Sequence, residues 1–310
     1  MKSRAATALG ALGLAALPVG LAILAAGCLA EPPGHLPSST RVLYSKVARD
    51  SLGERVDVWF LLAREGNELR LTEDDAREVE PSFAAGPRRV FYVREEDGGS
   101  EIWSMDLGGG DERRELAGNG SLRDPDVSPD GTRIAYTRVS GGSSTVEVAP
   151  LDGSAGREVT VGSGSWSQPR WSPDGRRLVM VGGQGGASRL HLVDSDGGEA
   201  RPVATAGGGA AQADPDWSPD GMRIVFRQGE GPGAEIAVLT VDGGQPATVL
   251  TDNDVEDGDP AFSPSGERIV FVSRRPDGRP NLWVMDADGS DSGSLTTVEE
   301  GEEAADPDWL

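Results

Sequence analysis

The stretch Asp214–Gly221, DPDWSPDG, decides the architecture of this chain, because its parts recur at a nearly constant interval. A proline followed two residues later by valine or an aromatic residue occurs six times, with successive spacings of 44, 44, 46, 45 and 47 residues. These prolines are Pro81, Pro125, Pro169, Pro215, Pro260 and Pro307. Self-similarity at such a period is the signature of a repeat protein. The spacing therefore predicts units of about 45 residues.

Four copies continue into the tetrad Ser-Pro-Asp/Ser-Gly, which begins at Ser128, Ser172, Ser218 and Ser263. Proline at the second position presets φ, and glycine at the fourth accepts a positive φ, so the tetrad predicts a tight hairpin turn. A basic residue and a short apolar strand follow each turn, as in Arg223–Phe226. The second unit has the strand at Arg89–Tyr92 but replaces the tetrad with Ala84–Pro87.

Two further strands complete each unit. A third strand follows a polar loop, as in Glu101–Asp106 and Asn281–Asp286, and a fourth follows a turn that contains glycine, as in Ala247–Thr251. Four short strands in about 45 residues are typical of a propeller blade.

The Asp-x-Pro-x-Trp-Ser-Pro-Asp-Gly unit, with its Ile-Trp-x-Met-Asp continuation, resembles the WD40-like repeat of TolB-family propellers. The resemblance covers residues 41–310. It implies an all-β fold, a six-bladed β-propeller with four-stranded blades.

The two ends of the repeat region complement each other. Arg41–Tyr44 matches the second strand of a blade and has no first strand before it, whereas Asp306–Leu310 matches a first strand and has no turn after it. We therefore expect the C-terminal strand to complete the first blade, which closes the ring and removes exposed sheet edges.

The amino terminus predicts export. Lys2 and Arg4 precede an uncharged run from Ala5 to Ala30, which is long enough to cross a bilayer as a permanent anchor. The run is rich in alanine and glycine and is interrupted by Pro18, which favours a cleaved signal.

The run ends in Leu24–Cys28, LAAGC, which resembles the bacterial lipobox. This resemblance implies a signal peptide over residues 1–27, lipidation of Cys28, a flexible tether over 28–40 and the propeller over 41–310. It also implies a lipid-anchored protein of the bacterial cell envelope. Leu29 follows the cysteine, which points to the outer membrane, facing the periplasm.

The composition excludes several classes of function. Asp and Glu number 51 against 29 Lys and Arg, so the formal charge of −22 opposes binding to nucleic acid. One cysteine and two histidines exclude an intrachain disulfide and argue against a zinc site of Cys and His ligands.

The residues before the repeat prolines are predicted to gather at one mouth of the central channel. They are Glu80, Asp124, Gln168, Asp214, Asp259 and Asp306. Together they would form a negative mouth that attracts cationic groups or a divalent cation. The alternative is that each acid caps its own turn through backbone N–H groups.

Trp166 and His191 stand out because each departs from the repeat. Trp166 is assigned to the Gly/Ser loop that contains Gly162–Ser165, where it is either a ligand platform or folds back on its blade. His191 occupies the position of Trp103 and Trp283 and is interpreted as a core residue. The two Asp-x-Asp-Gly segments, at 194–197 and 286–289, are interpreted as turns because their continuations lack the remaining ligands of a calcium loop.

No catalytic constellation is found: the chain has no Gly-x-Ser-x-Gly elbow and no Ser/His/Asp set. We therefore expect a monomeric, non-enzymatic scaffold without a cofactor, which binds an envelope protein or peptide through its loop face. It would contact the membrane only through the lipid. The alternative is a propeller that binds a small ligand, carbohydrate or metal at the acidic mouth, including a lyase or hydrolase.

Overall fold

The structure is a computed structural model that describes residues 40–51, 53–63, 66–152, 154–159, 164–183, 188–203, 209–275 and 278–310. Strands dominate this part of the chain, and its one helical element is the short 3-10 helix Gly231–Gly233. None of its helices has the length and apolar character needed to cross a bilayer. The predicted signal, Cys28 and residues 28–39 of the tether lie outside the described residues.

Twelve strands of the described chain form three separate antiparallel sheets of four strands, each ordered as in the sequence. The first is β12 (Ser165–Trp171), β13 (Arg177–Gly183), β14 (Arg189–Asp194) and β15 (Arg201–Pro202). The second is β16 (Gln212–Trp217), β17 (Arg223–Gln228), β18 (Glu235–Thr240) and β19 (Thr248–Val249). The third is β20 (Asp257–Phe262), β21 (Arg268–Ser273), β22 (Asn281–Asp286) and β23 (Gly293–Ser294).

The other twelve strands belong to one larger sheet. They are β1 (Arg41–Asp50), β2 (Gly53–Leu62), β3 (Asn67–Arg70), β4 (Arg77–Ala84), β5 (Arg89–Glu96), β6 (Gly99–Met105), β7 (Arg113–Leu116), β8 (Ser121–Val127), β9 (Arg133–Ser140), β10 (Ser143–Pro150), β11 (Arg157–Glu158) and β24 (Glu302–Trp309). Single parallel pairings, Val56 with Arg77 and Ser100 with Ser121, join antiparallel groups that each resemble the separate sheets.

The last strand lies beside the first. β24 pairs antiparallel with β1, from Val42 opposite Trp309 to Ala48 opposite Glu302. The Leu310 N–H also donates to the Arg41 carbonyl at 3.0 Å. β1 thus lies between β2 and β24, as second strand of a four-stranded group.

The Ser-Pro-Asp/Ser-Gly tetrads form tight turns, which confirms the sequence prediction. The Gly131 N–H donates to the Ser128 carbonyl at 2.8 Å, and Gly131 has φ of 71°. The Ser128 hydroxyl donates to Asp130 at 2.6 Å, and the same carboxylate accepts from the Thr132 N–H. Hydrogen bonds of the serine and aspartate side chains therefore stabilise the turn.

The innermost strands are the first strands of the four-stranded groups: β4, β8, β12, β16, β20 and β24. Tryptophans on these strands join neighbouring groups. The Trp217 indole N–H donates to the Arg170 carbonyl at 3.1 Å, and the Trp309 indole N–H donates to the Ala261 carbonyl at 3.0 Å. Both rings are buried between sheets, Trp217 with Val179 and Leu190. The repeated aromatic thus holds one sheet against the preceding one.

Candidate functional site

A common bulge positions the six residues that precede the repeat prolines. The pairing of each innermost strand shifts register at this point, as between Val79 and Ser82. The six residues have positive φ: Glu80 (55°), Asp124 (52°), Gln168 (55°), Asp214 (52°), Asp259 (48°) and Asp306 (49°). This left-handed conformation is one that Asp adopts more readily than most residues.

The bulge turns these side chains toward the next innermost strand. The Glu80 carboxylate accepts the Asp124 N–H at 2.6 Å, and the Asp124 carboxylate accepts the Gln168 N–H at 3.1 Å. The Gln168 amide oxygen accepts the Asp214 N–H at 2.9 Å, and the Asp306 carboxylate accepts the Glu80 N–H at 3.3 Å. These side chains therefore bridge between neighbouring four-stranded groups, and the alternative in which they cap their own turns is wrong for these four residues.

A second tier of charged residues lies two positions further along the innermost strands. The carboxylates of Asp126, Asp216 and Asp308 accept backbone N–H groups of the next four-stranded group at 2.6–2.7 Å. Arg170 holds the same position on β12. Sequence reasoning missed this tier, although its signal was present as the variable residue of the Pro-x-aromatic motif.

Both tiers line one cavity of about 160 Å³. Burial raises the pKa of Asp126 and of Asp216 to about 7 and that of Asp308 to about 6. Burial and then the charges of Asp124 and Asp306 raise the pKa of Glu80 to about 8. Carboxyls crowded in this way therefore keep their protons to a higher pH than free carboxyls do.

Arginines neutralise part of the mouth. Arg227 Nε lies 2.6 Å from the Asp214 carboxylate, and Arg123 contacts both Glu80 (3.3 Å) and Glu95 (2.5 Å). The mouth is therefore less negative than its acidic residues alone would suggest.

Exposed acids remain in the loops that join the last strand of one group to the innermost strand of the next, and these loops form the loop face. Glu73, Asp75, Asp252, Asp254 and Glu300 are exposed. None of their side chains forms an ion pair within the described chain. They give the loop face its unneutralised negative charge.

Trp166 is part of a strand and not of a loop, which corrects the sequence interpretation of its position. It belongs to β12, is 9 % exposed, and packs among buried residues of its own and the preceding sheet. Its ring meets His191 edge-on at 5.0 Å between centroids. Of the two predicted roles, the geometry favours folding back on the blade. His191 is half-buried, and burial lowers its pKa.

Replacing Gly182 with alanine is expected to destabilise the protein by about 1–3 kcal/mol, because the added methyl group overpacks this contact. A Cβ on Gly182 would lie 2.1 Å from a carbon of the Trp166 ring. Gly233→Ala is the matched control, since nothing lies within 4 Å of the position that its added methyl group would take. Chemical denaturation of both variants measures the difference, and equal stabilities would contradict the packing argument.

The described residues contain no group of three or more His, Cys, Asp or Glu side chains arranged to hold a metal ion. The two Asp-x-Asp-Gly segments form turns, which confirms their interpretation. The Gly197 N–H donates to the Asp194 carbonyl at 2.7 Å, and the Gly289 N–H donates to the Asp286 carbonyl at 2.8 Å.

Comparison with known proteins agrees with this architecture. Residues 116–249 match the family described as the TolB beta propeller domain. No curated protein matches the chain by sequence.

Solved structures show the same fold. TolB from Acinetobacter baumannii has a TM-score of 0.74 at 22 % identity, over 88 % of this chain and 67 % of that one. A TolB candidate from Agrobacterium tumefaciens has a TM-score of 0.67 at 22 % identity, over 88 % and 99 %. A puromycin-hydrolysing peptidase from Mycobacterium tuberculosis has a TM-score of 0.60 at 18 % identity, over 81 % of this chain and 44 % of the peptidase.

Repeat signature, strand pairing, family match and structural similarity converge on one class of fold. The chain has an all-β propeller fold similar to that of TolB, and residues 116–249 match the family's propeller domain.

Proposed function

We propose that this protein is a six-bladed propeller, held in the bacterial cell envelope by a lipid on Cys28, that binds a protein or peptide partner through its loop face. It acts as a monomeric, non-enzymatic scaffold at the outer membrane, facing the periplasm. The TolB-like fold supports an envelope location.

The strand pairings support the blade count and the closure of the ring. Among the described residues, the antiparallel groups number six when β24 is counted with β1, β2 and β3. Contacts run from β4 through β8, β12, β16 and β20 to β24, and β24 also contacts β4. Hydrogen bonds from the Glu80 N–H to Asp306 and from the Phe83 N–H to Asp308 span this last contact.

The observation that carries the binding proposal is the set of exposed, unpaired acids in the loops around the mouth. Mouth carboxylates such as Glu80 and Asp124 form hydrogen bonds between neighbouring four-stranded groups, so they are positioned to hold the structure. The exposed loop acids Asp252, Asp254 and Glu300 have no such engagement. Charge complementarity therefore favours a basic segment of the partner.

In-cell crosslinking followed by mass spectrometry tests the proposal. We expect one reproducible envelope partner, and a several-fold lower yield in the triple variant Asp252→Asn, Asp254→Asn, Glu300→Gln. The control is Glu267→Gln, which changes an exposed acid next to a tetrad turn and should leave the yield unchanged. Recovery of no reproducible partner would count against the scaffold.

Fractionation of Cys28→Ser cells tests the anchor separately. The wild-type chain is expected in the membrane fraction and the variant outside it, because the variant cannot carry the thioether-linked lipid. Equal membrane association of both chains would favour an uncleaved anchor.

A further inference from the structure

The guanidinium of Arg170 lies in the channel and forms no direct ion pair with a described residue. Arginine carries five N–H donors, yet the hydrogen bond that Arg170 forms within the described chain is from Nη1 to the Pro169 carbonyl at 3.1 Å. No carboxylate of the described residues forms an ion pair with it. Burial opposes its charge, but the surrounding carboxylates, led by Asp126, raise the pKa of Arg170, so it remains cationic. Several donors are therefore left for a group inside the cavity.

Three carboxylates share that cavity with Arg170. Asp126 and Asp216 lie on the two innermost strands that flank β12, and Asp308 lies on β24. Each accepts backbone N–H groups, which use part of the roughly four acceptor positions of a carboxylate. At the second tier the cavity therefore offers donors from one side chain and acceptors from three others, and further carboxyls line it at the mouth.

This mixture of charges discriminates between classes of ligand. A simple cation would leave the Arg170 donors without a partner, and a simple anion would meet three aspartates. A ligand that carries a carboxylate and an ammonium group satisfies both sets. We propose that the cavity binds a small α-amino acid, with its carboxylate on Arg170 and its ammonium group directed at Asp126, Asp216 and Asp308.

The size of the cavity fits this class. A volume of about 160 Å³ corresponds to the liquid share of about five water molecules, which is the scale of glycine, alanine or serine. The cavity also reaches the mouth residues Glu80, Asp124 and Asp214, so a ligand can enter from the loop face. The site involves the channel interior and does not depend on a protein partner at the loops.

Titration calorimetry of the full-length chain tests the assignment with five probes: glycine, L-alanine, L-serine, methylamine and sodium acetate. We expect saturable binding of at least one amino acid, with one molecule per chain. Methylamine and acetate each lack one of the two charged groups, so they should bind at least about tenfold more weakly.

Variants locate the site. Arg170→Gln and Asp216→Asn are each expected to weaken amino-acid binding about tenfold or more, whereas Glu267→Gln should bind as the wild type does. Circular dichroism melts verify that the variants fold. Asp216→Asn retains an oxygen that can accept the Phe262 N–H, which protects the structure.

Three results would overturn the assignment. They are no binding of any of the three amino acids, methylamine or acetate binding as tightly as the amino acid, and full binding by folded Arg170→Gln. Each is independent of the crosslinking result, so failure of the channel site and failure of the scaffold proposal are distinguishable.

Discussion

Deletion of residues 305–310 is expected to leave a chain without a cooperative unfolding transition. The deletion removes the end of β24 that pairs with Val42 and Leu43, and it exposes the inner edge of β1. It also removes Trp309, which is 7 % exposed and packs with Val42 and Tyr44. Domains of marginal stability do not tolerate the loss of a buried strand.

The deletion also breaks both tiers of the channel. Asp306 accepts the Glu80 N–H, and Asp308 accepts the Phe83 N–H at 2.6 Å, so β4 loses two partners at once. The less severe variant Trp309→Ala keeps the strand. It is expected to lower the free energy of unfolding by about 3–5 kcal/mol.

A chain extended by a Gly-Ser tail after Leu310 is the control for a changed terminus. Calorimetric melts should give one transition for the extended chain, a lower midpoint for Trp309→Ala and no transition for the deletion. A cooperative melt of the deletion near the wild-type midpoint would refute closure through β24.

The sequence predicted those features that recur along the chain. The Ser-Pro-Asp/Ser-Gly tetrads were identified because proline and glycine restrict the backbone locally, as Gly131 shows with φ of 71°. The mouth positions were identified because they precede a proline in every copy. Such local constraints require no knowledge of which sheets become neighbours.

Contacts between sheets were not predicted, since they join residues about 45 positions apart. The bond from Asp214 N–H to Gln168 depends on the bulge, whose register shift leaves no sequence signal of its own. Arg170 was overlooked because it replaces an aspartate at a variable position, and its role follows from residues of other strands. Trp166 was assigned to a loop because the Gly/Ser run before it resembles a linker, whereas burial against His191 and Gly182 keeps it in β12.

Raising the pH from 5 to 8 is expected to lower the stability of the protein. The folded-state pKa is about 7 for Asp126 and Asp216 and about 6 for Asp308, whereas an unfolded aspartate titrates near about 4. Between the two values the native state holds protons that the unfolded chain has lost. Stability therefore falls as the pH rises, by up to about 1.4 kcal/mol per pH unit for each such carboxyl, and levels off above the folded pKa.

The double variant Asp126→Asn, Asp216→Asn separates this effect from the hydrogen bonds. An asparagine oxygen can still accept the N–H groups of Trp171 and Phe262, but it cannot ionise. Denaturation between pH 5 and 8 should therefore show a shallower decline in the variant, with the gap in its favour widening as pH rises.

Asp130→Asn provides a control of opposite sign. The Ser128 and Thr132 hydroxyls, followed by the Thr132 N–H, lower the pKa of Asp130, so its ionised form stabilises the folded state above about pH 4. This variant should lose stability at neutral pH and keep the steep decline between pH 5 and 8. A wild-type profile that is flat over this range would show that the channel carboxyls are ionised throughout, so that Arg170 and its neighbours hold their charges without shared protons. An equally steep profile in the double variant would show that the decline originates in other groups with a raised pKa, such as Glu80 and Asp308.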